Sequence, residues 1–476
     1  MRMRLMCLVL LTWFGSVAAQ SNLPDLAEQE RWNELFERLD TVENDSELSQ
    51  ADGATALHWA AFHGQADAIE KLVRSGADVN ATNDYQVSPL SLACEYGNTE
   101  AVVALLTAGA DPNASRLGKE TPLMFAALAD DAAAVRHLIQ HGAKIDVTEV
   151  RQQTALMWAA SAGNVDAVDA LIRAGADIDS RLPRSDFSAF MFAARNGQTD
   201  VVMRLLDAGV DVNATMQPKQ TNGRNPRKGM SALLLAVESG HLELALKLIQ
   251  QGADPNDQRS GFAPLHAITW VRRTELGDAA EGDPAPRITG SFHSIAFVRE
   301  IVKAGADVNL QLTSGKSRGQ RLNPKGATPF LLAARGADLP LMKLLLELGA
   351  DPTLPNADGT TALMVAAGVG VIAVGEEPGT PEEVDTAIEM LFDLGLDPNA
   401  VDRNRETAMH GAALRTFPTT VRTLARLGAD PAIWNQRNKR GWTPHAIAHG
   451  KRPGSVKPSP ETIEALDAAM APATLP

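Results

Sequence analysis

Apolar and polar positions along this chain repeat with a spacing of 33 residues over its first third. TALHWAAFHG begins at Thr55, SPLSLACEYG at Ser88, TPLMFAALAD at Thr121 and TALMWAASAG at Thr154. SAFMFAARNG (Ser188), SALLLAVESG (Ser231), APLHAITWVR (Ala263), TPFLLAARGA (Thr328), TALMVAAGVG (Thr361), TAMHGAALRT (Thr407) and TPHAIAHG (Thr443) continue the series. Thr or Ser opens each unit because a hydroxyl can take an orphan N–H at a helix start. Pro or Ala follows, where the first helical position needs no N–H. Leu57, Leu90, Leu123 and Leu156 anchor the helix, and the Ala-Ala pair lets neighbouring helices approach closely. The glycines at 64, 97, 163, 197 and 240 suit a left-handed helix end. A second helix follows at i, i+3, i+4 spacing, as in Ile69, Leu72 and Val73. Tails such as GADVN at Gly76, GADPN at Gly109 and GADPT at Gly349 close the units.

A 33-residue period carrying T-P-L-H-x-A-A resembles the ankyrin repeat. The resemblance implies an all-α ankyrin-repeat solenoid of about 11 helix-turn-helix repeats with hairpin loops. Residues 1–19 are expected to be a signal peptide and 20–49 an N-terminal capping helix, with Trp32, Leu35, Phe36 and Leu39 at helical spacing. Repeats 1–10 occupy 50–440, and a degenerate capping repeat and tail fill 441–476, with a last helix over 461–470.

His58 shares its repeat position with Ser91, Met124, Met157, Met191, Leu234, His266, Leu331, Met364 and His410. Alternation of His, Met and Leu marks a packing position, and methionine there is adaptable core filler. His63 lies five residues from His58, off its helix face.

Four insertions interrupt the period, near 214–229, 272–293, 310–326 and 371–385. The first and third fall in the hairpin position, and each carries four basic residues and no acidic one. They are Lys219, Arg224, Arg227 and Lys228, then Lys316, Arg318, Arg321 and Lys325. The other two fall between the helices of one repeat, so they are expected as loops on the opposite edge. In the fold that the resemblance implies, the two residues after Ala-Ala face a concave groove. These include Tyr96, Arg195 and Trp270, and Trp270 is followed by Arg272 and Arg273. Exposed aromatic and arginine side chains are frequent binding anchors. The segments AITWVRR and NPKGATPFLLAA look like those of secreted bacterial multi-ankyrin-repeat proteins, which implies binding of an undefined partner.

The formal net charge is −14, so the basic fingers are a local reversal, and a sequence of that charge disfavours nucleic acid. Arg2 and Arg4, the apolar run Leu5–Phe14 and small residues before Gln20 have the layout of a secretory signal. That run is too short to span a bilayer, which takes ~20 residues. The expected location is across the inner membrane, periplasmic or extracellular. Cys7 would leave with the signal, so Cys94 has no intramolecular disulfide partner.

Catalytic motifs are missing: there is no GxSxG, HExxH or CxxC. His445 and His449 stand at i, i+4 without an evident third ligand, and no cofactor or metal is expected. The sequons at Asn80, Asn113 and Asn213 arise from the repeat tail itself.

These features point to a non-enzymatic, monomeric protein-binding scaffold. A concave groove (Trp270, Arg272, Arg273, Arg195, Tyr96) and basic fingers (Arg224, Arg227, Lys228, Arg318, Arg321, Lys325) would recognise an acidic patch on a protein partner. A structural spacer with non-functional insertions, and a small-ligand or hydrolytic site at the repeat-seven insertion, remain alternatives.

Overall fold

The computed structural model describes residues 22–41, 48–219, 227–273, 288–289, 293–314, 322–371, 374–375, 378–451 and 457–471. The described residues form helices joined by turns, with isolated bridges at Ser49–Thr55 and Thr215–Ser231 and no strands. Two compact units result: Met1–Leu156 with Asp169–Ala176, and Met157–Val168 with Asp177–Pro476. The fourth repeat is divided between them.

In the first unit the N-terminal cap is two helices, Leu23–Glu28 and Trp32–Leu39, where the spacing predicts one. Glu30 breaks them with φ 57°, and the Arg31 N–H returns to the Leu26 carbonyl, a left-handed helix ending. Three repeats follow, with first helices Ala56–Phe62, Pro89–Glu95 and Pro122–Leu128 and second helices Ala66–Arg74, Thr99–Thr107 and Ala132–Gln140. The Ser88 hydroxyl accepts the Ser91 N–H at 3.2 Å, as the repeat's opening residue should. Ala60, Ala61, Ala93, Ala126 and Ala127 are buried where successive first helices meet.

The second unit continues with first helices Ala189–Arg195, Ala232–Glu238, Pro264–Arg272, Pro329–Arg335, Ala362–Ala367, Ala408–Arg415 and Pro444–Ala448. Each packs on a second helix, the last being Pro460–Met470.

The 371–385 insertion departs from expectation in two ways. Its acidic end is not a loop: Pro381–Asp393 is a helix, started by a capping box in which Thr380 and Glu383 exchange side-chain and backbone hydrogen bonds. Nor is its start solvated, because Val371 is buried. The preceding helix stops at Ala367, and Gly368 turns the chain at φ 120°. Gly370 then sits against Leu322 at the foot of the second finger, so close that an added Cβ would lie 2.8 Å from the Leu322 nitrogen. Val371 is buried with Ala413, Leu414 and Ile447, and Trp442 packs against that cluster. Apolar burial on neighbouring repeats outweighs the polar tendency of the segment.

Candidate interaction surface

The groove residues around repeat seven are engaged within the protein. Arg272 makes a bidentate ion pair with Asp338, at 2.7 Å from Nε and 2.9 Å from Nη2, and also donates to the Ser294 hydroxyl. Asp338 is 2% exposed and also caps its own helix by accepting the Leu341 N–H. Arg273 grips Glu383 at 2.6 and 2.7 Å and reaches the Gly336 carbonyl at 3.3 Å. This pairing raises the Arg273 pKa and holds the Glu383 carboxyl down at about 2. The two arginines therefore tie repeat seven to the eighth and ninth repeats. Both guanidinium groups are thus already paired with carboxylates of the protein itself.

Trp270 is half-buried and meets Phe262 edge-on, with ring centroids 4.9 Å apart. The Arg227 guanidinium lies 5.5 Å from the same Phe262 ring and pairs with Glu238. The structure thus brings Arg227 and Trp270 onto one aromatic neighbour, a juxtaposition that their spacing in the sequence does not announce. Arg195 lies over Phe187 and Phe192, and desolvation lowers its pKa. In the first unit Tyr96 is 53% exposed and meets Phe62 edge-on at 4.5 Å. Burial, then the charge of Glu95, raises its pKa.

Of the finger residues, Arg224, Lys316, Arg318 and Arg321 lie outside the described residues. Lys219, Lys228 and Lys325, at the finger bases, are exposed and make no ion pair among the described residues.

Family models for ankyrin repeats match residues 18–116, 90–182, 123–216, 180–259 and 325–357, more than half of the chain. The chain belongs to the ankyrin-repeat family. Its relatives include ankyrin repeat and SOCS box protein 16 of Mus musculus, 35% identical over 109 residues, 23% of this chain and 23% of that protein. Glycerophosphocholine phosphodiesterase gde1 of Schizosaccharomyces pombe is 30% identical over 121 residues, 25% of this chain and 10% of the relative. Palmitoyltransferase AKR1 of Lachancea kluyveri is 29% identical over 167 residues, 34% of this chain and 20% of the relative. The match spans less than a quarter of each of these curated relatives. Among solved structures, the human ASB11 ankyrin repeat domain aligns with a TM-score of 0.41 at 23% identity, covering 52% of this chain and 98% of that one.

The ankyrin pattern explains several polar residues without a ligand. His58, His266 and His410 are buried, and each ring Nε2 faces a backbone carbonyl of the next repeat's hairpin. The tail asparagines form a ladder. Asn80 donates to the Gly109 carbonyl and accepts the Asp111 N–H, and Asn113 does the same with Gly142 and Lys144. In the second unit Asn213, Asn256, Asn309 and Asn399 repeat the bond to the following glycine. The sequons at Asn80, Asn113 and Asn213 thus follow from a structural position. The tail aspartates accept the N–H two residues on, as at Asp78, Asp111 and Asp254. His445 faces Asp467 at 2.9 Å, and no group of three metal-ligating side chains occurs among the described residues.

Sequence reasoning passed over the hairpin tips outside the fingers. In the first unit Tyr85, Leu117 and Val150 stand exposed on successive tips. In the second, Arg403 and Arg405, then Arg437 and Lys439, occupy the last two tips and are exposed. The signal was present as DRNRE and NQRNKRG, but no insertion drew attention to it.

Proposed function

We propose that this ankyrin-repeat chain is a secreted, monomeric scaffold that binds a protein partner through an acidic patch, with the basic fingers as first contact. Ankyrin repeats are in general non-enzymatic binding scaffolds, and that coarser reading follows from the family. One observation carries the finer one: on a chain of net charge −14, Lys219, Lys228 and Lys325 project from the finger bases with no carboxylate partner among the described residues. Arg227, Arg272 and Arg273, by contrast, are already neutralised internally. Exposed cations of one sign steer association and make it salt-sensitive. No helix among the described residues is long and apolar enough to cross a membrane. The proposed compartment is periplasmic or extracellular, as in secreted bacterial multi-ankyrin-repeat proteins, and it rests on the N-terminal signal layout.

The test is affinity capture from host extract with wild type and a variant in which the fingers are neutralised, at low and high salt. A partner held by wild type at low salt and lost by the variant is the expected result. Identical partners for both sink the finger reading. N-terminal sequencing of the exported protein should begin at Gln20, and an intact Met1 would remove the secretory assignment.

A further inference from the structure

The finger bases are not the end of the exposed positive charge. Backbone hydrogen bonds join the hairpin tips of the last four repeats into one row. Ala357 N–H donates to the Lys325 carbonyl at 2.8 Å, Arg403 N–H to Asp358 at 2.8 Å, and Lys439 N–H to Asn404 at 2.9 Å. Along this row Lys325, Arg403, Arg405, Arg437 and Lys439 are exposed and make no ion pair among the described residues.

The carboxylates of the same row are held by hydrogen bonds within it. Asp402 is 6% exposed; it accepts the Asn404 and Glu406 N–H groups and the Thr360 hydroxyl. Asp358 is held between the Asn323 and Asn404 amides. Glu406 accepts from Asn438, and desolvation followed by the nearby Asp402 charge raises its pKa to about 7, so it is substantially protonated near neutrality. The row therefore leaves its cations exposed, while Asp402 is buried and Asp358 and Glu406 are half-buried and hydrogen-bonded within the row.

We propose that these tips form a basic docking ridge for an extended, acidic segment of a protein partner. This rests on the acidic-partner reading above and extends the site from the fingers to the last repeat. At ~10 Å per packed layer, three steps from Lys325 to Lys439 span roughly 30 Å. An extended peptide rising ~3.3 Å per residue would cover that with about nine residues, one acidic side chain in three meeting each tip. A single-stranded nucleic acid fits less well. Such sites stack bases on aromatic faces, whereas Trp442, the aromatic beside these tips, has the Arg440 guanidinium 5.5 Å from its ring.

The experiment is fluorescence anisotropy with fluorescein-labelled deca-glutamate, and with a labelled ten-nucleotide oligothymidine, across a salt series. The ridge variant carries Arg403→Gln, Arg405→Asn, Arg437→Gln and Lys439→Gln; Asn suits the left-handed backbone of Arg405 at φ 59°. The finger variant neutralises Lys219, Arg224, Lys228, Lys316, Arg318 and Arg321. An exposed pair changes affinity by up to about fivefold, so losing four cations should weaken deca-glutamate by roughly tenfold or more. Circular dichroism melting checks that the ridge variant is folded. If it is not, Arg437→Gln and Lys439→Gln are measured singly, and each should weaken binding by about two- to fivefold. Ridge binding equal to wild type, with loss only in the finger variant, overturns the ridge and leaves the finger reading intact. No deca-glutamate binding at low salt, or no effect of either variant, ends both. Oligothymidine binding as tight as deca-glutamate overturns the assignment of a protein partner.

Discussion

Replacing Ala263 by Thr should stabilise the seventh repeat. In repeats one and ten the opening threonine donates its hydroxyl to a buried histidine: Thr55 to His58 Nδ1 at 2.8 Å and Thr407 to His410 Nδ1 at 3.0 Å. The seventh repeat opens with alanine, and His266 Nδ1 is buried with no hydrogen-bond partner. His266 Nε2 faces the Leu310 and Ala327 carbonyls at 3.1 and 3.2 Å, so it carries the proton and Nδ1 is the waiting acceptor. The Ala263 backbone, at φ −94° and ψ 164°, matches that of Thr328 at −97° and 163°. Threonine is buried at the equivalent positions 121, 328 and 407, so the site has a precedent for its volume. The new hydrogen bond satisfies a buried acceptor, which contributes about 1–3 kcal/mol. Against this stands an overpacking cost of about 1 kcal/mol if the two added heavy atoms do not fit freely. The expected gain is roughly 1 kcal/mol, within the range of about 0.5–2 kcal/mol for helix caps. Urea unfolding followed by circular dichroism measures it. A double-mutant cycle with His266→Leu isolates the hydroxyl–imidazole bond. An equal gain in both backgrounds, or no gain, would refute the reasoning.

Three further outcomes follow from the same geometry. Because folding raises the Glu406 pKa from 4.5 to about 7, its contribution favours the fold at low pH and is lost between pH 4.5 and 7. At about 1.4 kcal/mol per pH unit the loss is roughly 3 kcal/mol. His266 and His410, lowered by burial to about 4, act oppositely: they destabilise as pH falls from 6.5 toward 4. Glu406→Gln should therefore flatten the stability decline between pH 4.5 and 7 while leaving the opposing effect of the histidines, as read by urea midpoints. Arg272→Ala strands Asp338 in the interior and should cost about 3–5 kcal/mol, whereas Arg273→Ala breaks a more exposed pair and should cost about 1 kcal/mol or less; similar thermal shifts for the two would contradict the burial argument. Asn309→Ala removes the bonds to the Gly349 carbonyl and the Asp351 N–H, at 3.0 and 2.8 Å. Its expected cost is about 1–2 kcal/mol in urea titration.

The sequence by itself determined the repeat. A Thr or Ser cap, a Pro or Ala after it, an Ala-Ala pair and a glycine ending act within one turn of chain or between neighbouring units, so period and register can be read from linear spacing. It also indicated that His58, His266 and His410 occupy buried packing positions, because the same repeat position carries Met and Leu elsewhere. What only the tertiary structure decided is which charges are open. Arg272 and Arg273 look like anchors in AITWVRR, but their partners Asp338 and Glu383 lie 66 and 110 residues away. Those acids look fully explained locally, one as a helix cap and the other in a capping box. Val371, in a segment that resembles a solvated loop, is buried by repeats ten and eleven. Conversely, Arg403, Arg405, Arg437 and Lys439 look like ordinary tip residues until the stacked hairpins align them. The reason is physical: a cap or a glycine turn is set by neighbours in the chain, whereas neutralisation and burial of a charge depend on what distant repeats bring beside it.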